Sequence, residues 1–310
     1  MKSLSQAQES EARPAGPGEA VREKEARAAA FRCASGRLKL CSAVPIVLLI
    51  LLILGSMDGC SLHKSQTVTR LNAPGETVIK NELIAIPGGT FQMGRDDSVP
   101  SEGPSHKVQV KTFEMDKTEV TNAEYGEFVT QTKHAPPEPW GAPTPPLGHA
   151  NLPVTNVSYQ DAVAFADWRS KRDGVTYRLP TEEEWEYAAR NGDRNNLYPW
   201  GDTWLPTRAA TLDAGVGKEQ AVGSYPAGAN RWGVHDLIGN VWEWTSSKAS
   251  MYQGNSMKMS AQFQGWIVAR GGGYSTAPQK ISGALRDWFA PDYKNPVLGF
   301  RLVKVASSSH

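Results

Sequence analysis

All three cysteines of this chain, Cys33, Cys41 and Cys60, fall in its first fifth, and residues 61–310 contain none. Whatever that long stretch folds into is held together without a disulfide and offers no thiolate to a metal or a substrate. Its stability has to come from an apolar core, with a bound cation as the other available source. Every one of the 10 tryptophans lies between Trp140 and Trp288, which places that core.

The N-terminal quarter has a different character. Residues 1–39 are rich in Ala, Glu and Arg, with Phe31 as their one aromatic residue, and read as a disordered tail. Residues 40–57 then run without a charge through Ile46-Val-Leu-Leu-Ile-Leu-Leu-Ile-Leu54. A membrane-spanning helix needs about 20 apolar residues, and this run just suffices. Arg27, Arg32, Arg37 and Lys39 precede it with no acid between Glu25 and Asp58. The positive-inside rule therefore predicts a single-pass signal anchor with residues 1–39 cytoplasmic. The rest would be extracytoplasmic, and periplasmic if the cell is bacterial. Cleavage with lipidation at Cys60 is the competing reading, although Asp58 fits poorly before a lipidated cysteine and the leader is long for a signal peptide. Residues 58–81 read as a polar linker. The 33 basic and 32 acidic residues nearly cancel, so no global field favours nucleic acid.

From residue 82 onward the chain alternates strand and helix signals. Ile84-Ala-Ile-Pro-Gly-Gly-Thr-Phe-Gln-Met-Gly94 reads as strand, Pro-Gly turn and strand. Val108-Gln-Val-Lys-Thr-Phe-Glu-Met115 alternates as one half-buried strand. Thr121-Asn-Ala-Glu124, Ser158-Tyr-Gln-Asp161 and Thr181-Glu-Glu-Glu184 each open a helix with a capping box, and Gly192 is expected to close the third. Pro136-Pro-Glu-Pro-Trp-Gly-Ala-Pro-Thr-Pro-Pro146 forbids helix and central strand, leaving a structured loop or a flap. Helices early and short strands later predict an α+β fold.

Four separated motifs sharpen this: Arg178-Leu-Pro-Thr-Glu-Glu-Glu-Trp185, Gly239-Asn-Val-Trp-Glu-Trp244, Arg270-Gly-Gly-Gly-Tyr274 and Leu298-Gly-Phe-Arg301. In this order and spacing, residues 82–304 resemble the formylglycine-generating enzyme (sulfatase-modifying factor) family. The resemblance implies a C-type-lectin-like domain with little regular secondary structure. It also implies a calcium site made by the Asp236 side chain, the Gly239 and Val241 carbonyls and the Glu243 carboxylate. Calcium prefers such hard oxygen donors. The bland alternative is a tryptophan-bearing strand with Glu243 at a turn. The family's other calcium site would fall near Thr211-Leu-Asp-Ala-Gly215, where Thr211 stands in place of an asparagine and Asp213 is the substitute available.

The family's oxidase holds copper(I) on two cysteines, as suits a soft ion. Counted back from Leu298 without gaps, those positions fall on Pro278 and Gly283, so no copper is expected here. None of the six histidines shows metal-ligand spacing, and no nucleophile elbow is present. Arg270-Gly-Gly-Gly-Tyr274 lacks the lysine and helix of a phosphate loop and reads as close backbone approach in a sheet. Arg286-Asp-Trp-Phe289 borders the region that holds an extended peptide in the family. Arg286, Asp287, Trp288 and Tyr274 are the candidate partner groove, with Trp288 and Phe289 either filling the former active site or forming an aromatic recognition surface.

Three functions follow as expectations. One is a membrane-anchored domain without thiol–copper chemistry that binds a protein or peptide partner. Another is an enzyme of the same family with non-thiol chemistry, such as siderophore maturation, with Asp287, Asp292 or Glu243 moving protons. The last is a formylglycine-generating oxidase acting on sulfatases.

Overall fold

The computed structural model describes residues 77–305. The cytoplasmic tail, the apolar run 40–57, Cys60 and the linker up to residue 76 lie outside the described residues. Among the described residues no helix is long and apolar enough to cross a membrane.

Among the described residues three α-helices and ten short strands, joined by short 3-10 turns, make up the elements, in keeping with the α+β expectation. The strands are β1 (Leu83–Ile86), β2 (Gly89–Met93), β3 (His106–Val110), β4 (Phe113–Asp116), β5 (Tyr177–Arg178), β6 (Trp242–Lys248), β7 (Ile267–Arg270), β8 (Arg286–Phe289), β9 (Leu298–Gly299) and β10 (Val303–Lys304). The helices are α1 (Asn122–Thr132), α2 (Tyr159–Asp173) and α3 (Glu182–Ala189). One sheet has the order β1-β4-β10-β5, a two-stranded ribbon joins β2 to β3, and a third sheet runs β8-β7-β6-β9. In the third sheet β9 lies parallel to β6, and the other neighbours are antiparallel.

All three capping boxes form. Thr121, Ser158 and Thr181 each accept from the amide three residues on, and Glu124, Asp161 and Glu184 return the bond. Each box satisfies two helix donors that would otherwise be orphaned. Helix α3 stops earlier than expected. Arg190 is its cap, and Asn191 (φ 59°) and Gly192 (φ 62°) turn the chain left-handed. The turn is fixed by Asn191, whose Nδ2 donates to Pro199 O at 2.6 Å.

Residues 108–115 are not one strand. The chain bends at Lys111 and Thr112, so that β3 joins the ribbon and β4 enters the first sheet. Gly88 N–H donates to Thr112 Oγ1 at 3.0 Å and pins that corner. The proline-rich segment is structured: Trp140 stands edge-on to Tyr125 at 6.0 Å, so the loop covers α1.

Among the described residues three apolar clusters form the core, the smallest gathering Ala209, Ile238 and Ile281; the two larger ones position the site. One packs α1 and α2 against the third sheet through Tyr125, Phe128, Phe165, Trp244 and Phe300. The other joins α3 to the ribbon and the first sheet through Trp185, Tyr187, Phe91 and Met115. Phe165 is fully buried and meets Tyr125, Phe128, Trp168 and Phe300 at centroid distances of 5.3 to 5.7 Å. Truncation there would leave a cavity that rigid aromatic neighbours fill poorly. Phe165→Ala is expected to cost about 3–5 kcal/mol in chemical denaturation, and a loss under about 1 kcal/mol would show that this ring cluster is not a close-packed unit.

Candidate functional site

Helix α3 exists to carry two glutamates into the interior. Its capping box fixes the first turn, and the helical period puts Glu182 and Glu186 one turn apart on the same face. Both are buried. Opposite them, β7 and β8 are paired so that Arg270 faces Arg286, and these two arginines are buried as well.

The groups interlock. Arg270 reaches Glu182 Oε1 at 3.3 Å and, with its other amino group, Glu186 Oε2. Arg286 Nη2 donates to Glu182 Oε2 at 2.9 Å. Arg190 Nη1 donates to Glu186 Oε1 at 3.0 Å and to the carbonyls of Gln92 and Gly94. Tyr252 OH donates to Glu182 Oε1 at 3.1 Å, and burial together with Glu182 holds its hydroxyl far above the ordinary tyrosine range. Removing ions from water costs several kcal/mol each, so the network survives only because its members answer one another.

Of Pro278 and Gly283, the two positions expected from the count back from Leu298, this network reaches Gly283. Arg270 donates to Gly283 O at 3.1 Å and to Ala284 O at 2.9 Å. A Cβ at Gly283 would come within 2.6 Å of Arg190 Cγ. Pro278 opens a single turn that continues to Lys280.

The proposed groove residues have separate fates. Arg286 is spent internally, since it also bonds Ser101 O and Ser250 O and lies over the Tyr252 ring at 4.3 Å. It is not a surface residue for a partner. Asp287 accepts from Trp288 N–H at 2.8 Å, and burial pushes its carboxyl up to about 6. Trp288 is half-buried on β8, the edge strand, and meets Phe263 edge-on at 5.9 Å. Phe263 in turn stands against Trp266 at 4.8 Å. Phe289 points the other way, into Trp242, Trp244 and Tyr293, so one neighbour fills core while the other stays at the surface. Tyr274 lies past the end of β7, its amide on Asn240 O at 2.9 Å.

The presumed calcium ligands are not an extended run. Asp236 (φ 55°), Gly239 (φ 79°) and Asn240 (φ 58°) are left-handed, and strand geometry starts only at Trp242. Glu243 is fully buried, and both of its oxygens are taken: Arg301 donates at 2.7 and 2.6 Å and Trp185 Nε1 at 2.8 Å. A carboxylate so paired is poorly placed to hold a cation. Asp236 Oδ2 accepts the Gly223 amide at 2.6 Å, and its carboxyl lies within hydrogen-bonding reach of the Glu119 side chain. Sequence reasoning missed Glu119, which the fold brings to Asp236 and Asn240. Its Oε1 accepts from Asn240 Nδ2 at 3.0 Å, and its buried Oε2 has no hydrogen-bond partner. Burial drives both carboxyls upward, Glu119 further because Asp236 adds like charge. The only sequence signal was a lone acid ahead of a helix cap. Near the other expected site, Asp213 is occupied by Thr211 Oγ1 at 2.7 Å and Trp204 Nε1 at 2.8 Å. Among the described residues no group of three or more His, Cys, Asp or Glu side chains is arranged to hold a metal.

Residues 69–306 match the family model described as sulfatase-modifying factor enzyme 1-like domain. The chain is 33% identical over 277 residues to the inactive C-alpha-formylglycine-generating enzyme 2 of Mus musculus, covering 72% of this chain and 86% of the relative. It is 29% identical to the formylglycine-generating enzyme of Mus musculus, covering 78% and 82%. Among solved structures, PvdO from Pseudomonas aeruginosa superposes with a TM-score of 0.62 at 28% identity, covering 74% of this chain and 97% of that one.

If the buried charges carry this site, removing one partner must strand the others. Arg270→Met leaves Glu186 without its main counter-ion and frees the 283–284 backbone. The expected loss is about 3–5 kcal/mol in urea unfolding, whereas a loss below about 1 kcal/mol would mean that the network contributes little beyond shape.

Proposed function

This chain belongs to the sulfatase-modifying factor enzyme 1-like domain family as a member without the active-site cysteines, and from that premise we propose that it binds a protein or peptide partner instead of oxidising thiols. The observation that carries the reading is the closure at Gly283. At this position, one of the two that the count from Leu298 gives for the family's cysteines, Arg190 occupies the space a side chain would take and Arg270 holds the carbonyl, while β8, whose Arg286 pairs with Arg270, carries an aromatic surface. That surface consists of Trp288, Phe263 and Trp266. Half-buried aromatics of this kind are favoured anchors for a partner's apolar side chain. The Trp288 amide is already occupied by Asp287, which blunts the outer edge of β8 against strand pairing. The partner is therefore recognised through side chains rather than as an added strand. Similarity to a relative named inactive supports the absence of thiol chemistry.

The apolar run 40–57 and its preceding arginines support a single membrane anchor, with this domain extracytoplasmic. One experiment addresses both parts. The full chain is produced with a sulfatase substrate, and the membrane fraction is washed with alkaline carbonate. The chain is expected to stay in the pellet, and the sulfatase cysteine to stay unmodified by mass spectrometry. Aldehyde formed only when this chain is present would overturn the reading, and release into the wash would remove the anchor.

A structural calcium ion belongs to the same proposal, with a changed donor set. The orphaned Glu119 Oε2 and the lightly bonded Asp236 fit a hard dication, along with the Gly239 and Val241 carbonyls, and Glu243 does not. Bound there, the ion would neutralise two buried carboxylates. Calcium is expected to raise the melting temperature by several degrees, an effect that Glu119→Gln removes and Asp213→Asn leaves intact. No shift with calcium in the unaltered protein would dismiss the site.

A second reading rests on Asp287. A carboxyl held at about 6 beside the aromatic surface is poised for proton transfer near neutral pH. Any activity found there should lose a limb of its pH–rate profile near that value in Asp287→Asn, and an unchanged profile would exclude this acid.

A further inference from the structure

A second feature lies away from β8, behind the C-terminal end of α3. There the left-handed Asn191 and Asn195 flank a single turn, Gly192–Arg194. Asn191 ties this turn to two other segments, donating to Pro199 O at 2.6 Å and accepting from Arg231 N–H at 2.8 Å. The result is a recess of about 330 Å³ between residues 191–201 and 229–231.

Its polar lining divides into spent and unspent groups. The asparagines are spent. Asn230 accepts from the Trp232 and Val234 amides and donates to Ala188 O. Asn196 Nδ2 leans on Asp202, whose Oδ1 also holds the Leu197 amide at 2.8 Å. Of the arginines, Arg194 is unspent and Arg231 is only partly committed. Among the described residues, the Arg194 side chain makes no hydrogen bond or ion pair, although it lines the recess. Arg231 gives one amino group to Asp193 at 3.0 Å, but that carboxylate is 70% exposed and solvated. The rest of the Arg231 guanidinium lies over the Trp232 ring at 4.3 Å. Trp200 completes the wall. It is stacked on Tyr198 at 5.3 Å and 9°, with its Nε1 committed to Thr203 O, so it offers an apolar surface and no donor.

We propose that this recess binds a carboxylate-bearing ligand of about one sugar or amino-acid residue, with Arg194 and Arg231 on the carboxylate and Trp200 against its apolar face. Two arginines line one small space, and the one counter-ion that either meets among the described residues is the solvated Asp193. A planar fork of donors matches a carboxylate in two-point contact, and a concave wall of one sign concentrates anions. The volume is at the lower end for small-molecule sites, roughly 300 Å³ and upward, which limits the ligand to a single residue. The proposal does not depend on the Trp288 surface, and the two share no residue.

The full chain in detergent is titrated calorimetrically with glucuronate, with a short peptide ending in Glu, and with neutral counterparts, namely glucose and the same peptide ending in an amidated Gln. Binding of at least one carboxylate with no binding of its neutral counterpart is expected, and which one binds identifies the source as sugar acid or peptide. Arg194→Ala and Arg231→Ala should each weaken it roughly 10- to 100-fold, the range for one charged hydrogen-bonding group. Arg194 is exposed and internally unpaired, so Arg194→Ala should keep the melting temperature of the unaltered chain. The proposal fails if neither carboxylate binds at roughly 10 mM, if the neutral ligands bind equally well, or if Arg194→Ala leaves the affinity unchanged.

Discussion

The rest of the structure depends on the pairing of Glu182 and Glu186 with Arg270, Arg286 and Arg190. It joins three pieces of chain that are distant in sequence. Helix α3 supplies the acids, β7 and β8 supply two of the bases, and Arg190 carries the contact back to the carbonyls of the β2 strand. Apolar packing alone would hold these elements together but would not fix their register, because apolar surface is tolerant of sliding. A buried ion is not tolerant: one misplaced carboxylate strands a charge at a cost of several kcal/mol. The network therefore acts as a registration device, and the capping box at Thr181 is its first requirement, since it sets which face of α3 points inward.

A parallel arrangement holds the other side of the third sheet. Arg301, from the chain between β9 and β10, answers Glu243 with two nitrogens and also reaches Asp116 O and His235 O. Trp185 donates to the same carboxylate, so the two charge clusters meet across one indole. The second cluster differs in balance. Glu119 and Asp236 add two further acids, and Arg301 is already committed to Glu243. Burial answers that surplus by favouring the protonated carboxyls, and a dication would answer it by neutralising them. The raised carboxyls and the orphaned Glu119 oxygen are two expressions of one charge imbalance.

What could be read from sequence follows the range of the interactions. Capping boxes are local, so all three helix starts were legible from four residues each. The α+β pattern and the core tryptophans were legible because periodicity and bulk survive in one dimension. The fate of the arginines was not. Arg286 reads as a surface cation beside aromatics, yet its partners lie at Ser101, Glu182 and Ser250, far away in the chain. Glu243 was misread for the same reason, since its counter-ion stands 58 residues later. The bend at Lys111 did leave a trace: apolar residues fall at 108 and 110 and then at 113 and 115, so the period slips by one at Lys111-Thr112, where the chain passes from the ribbon to the first sheet.

The loss of thiols is thus more than the removal of two side chains. At Gly283 the absent side chain lets Arg190 approach and lets the carbonyls of Gly283 and Ala284 accept from Arg270. These contacts make the glycine part of the frame. A side chain placed there would displace the Arg190 stem, and the glutamates beneath would lose alignment. The charge frame itself needs only guanidinium, carboxylate and backbone, and so asks nothing of a thiol or a metal.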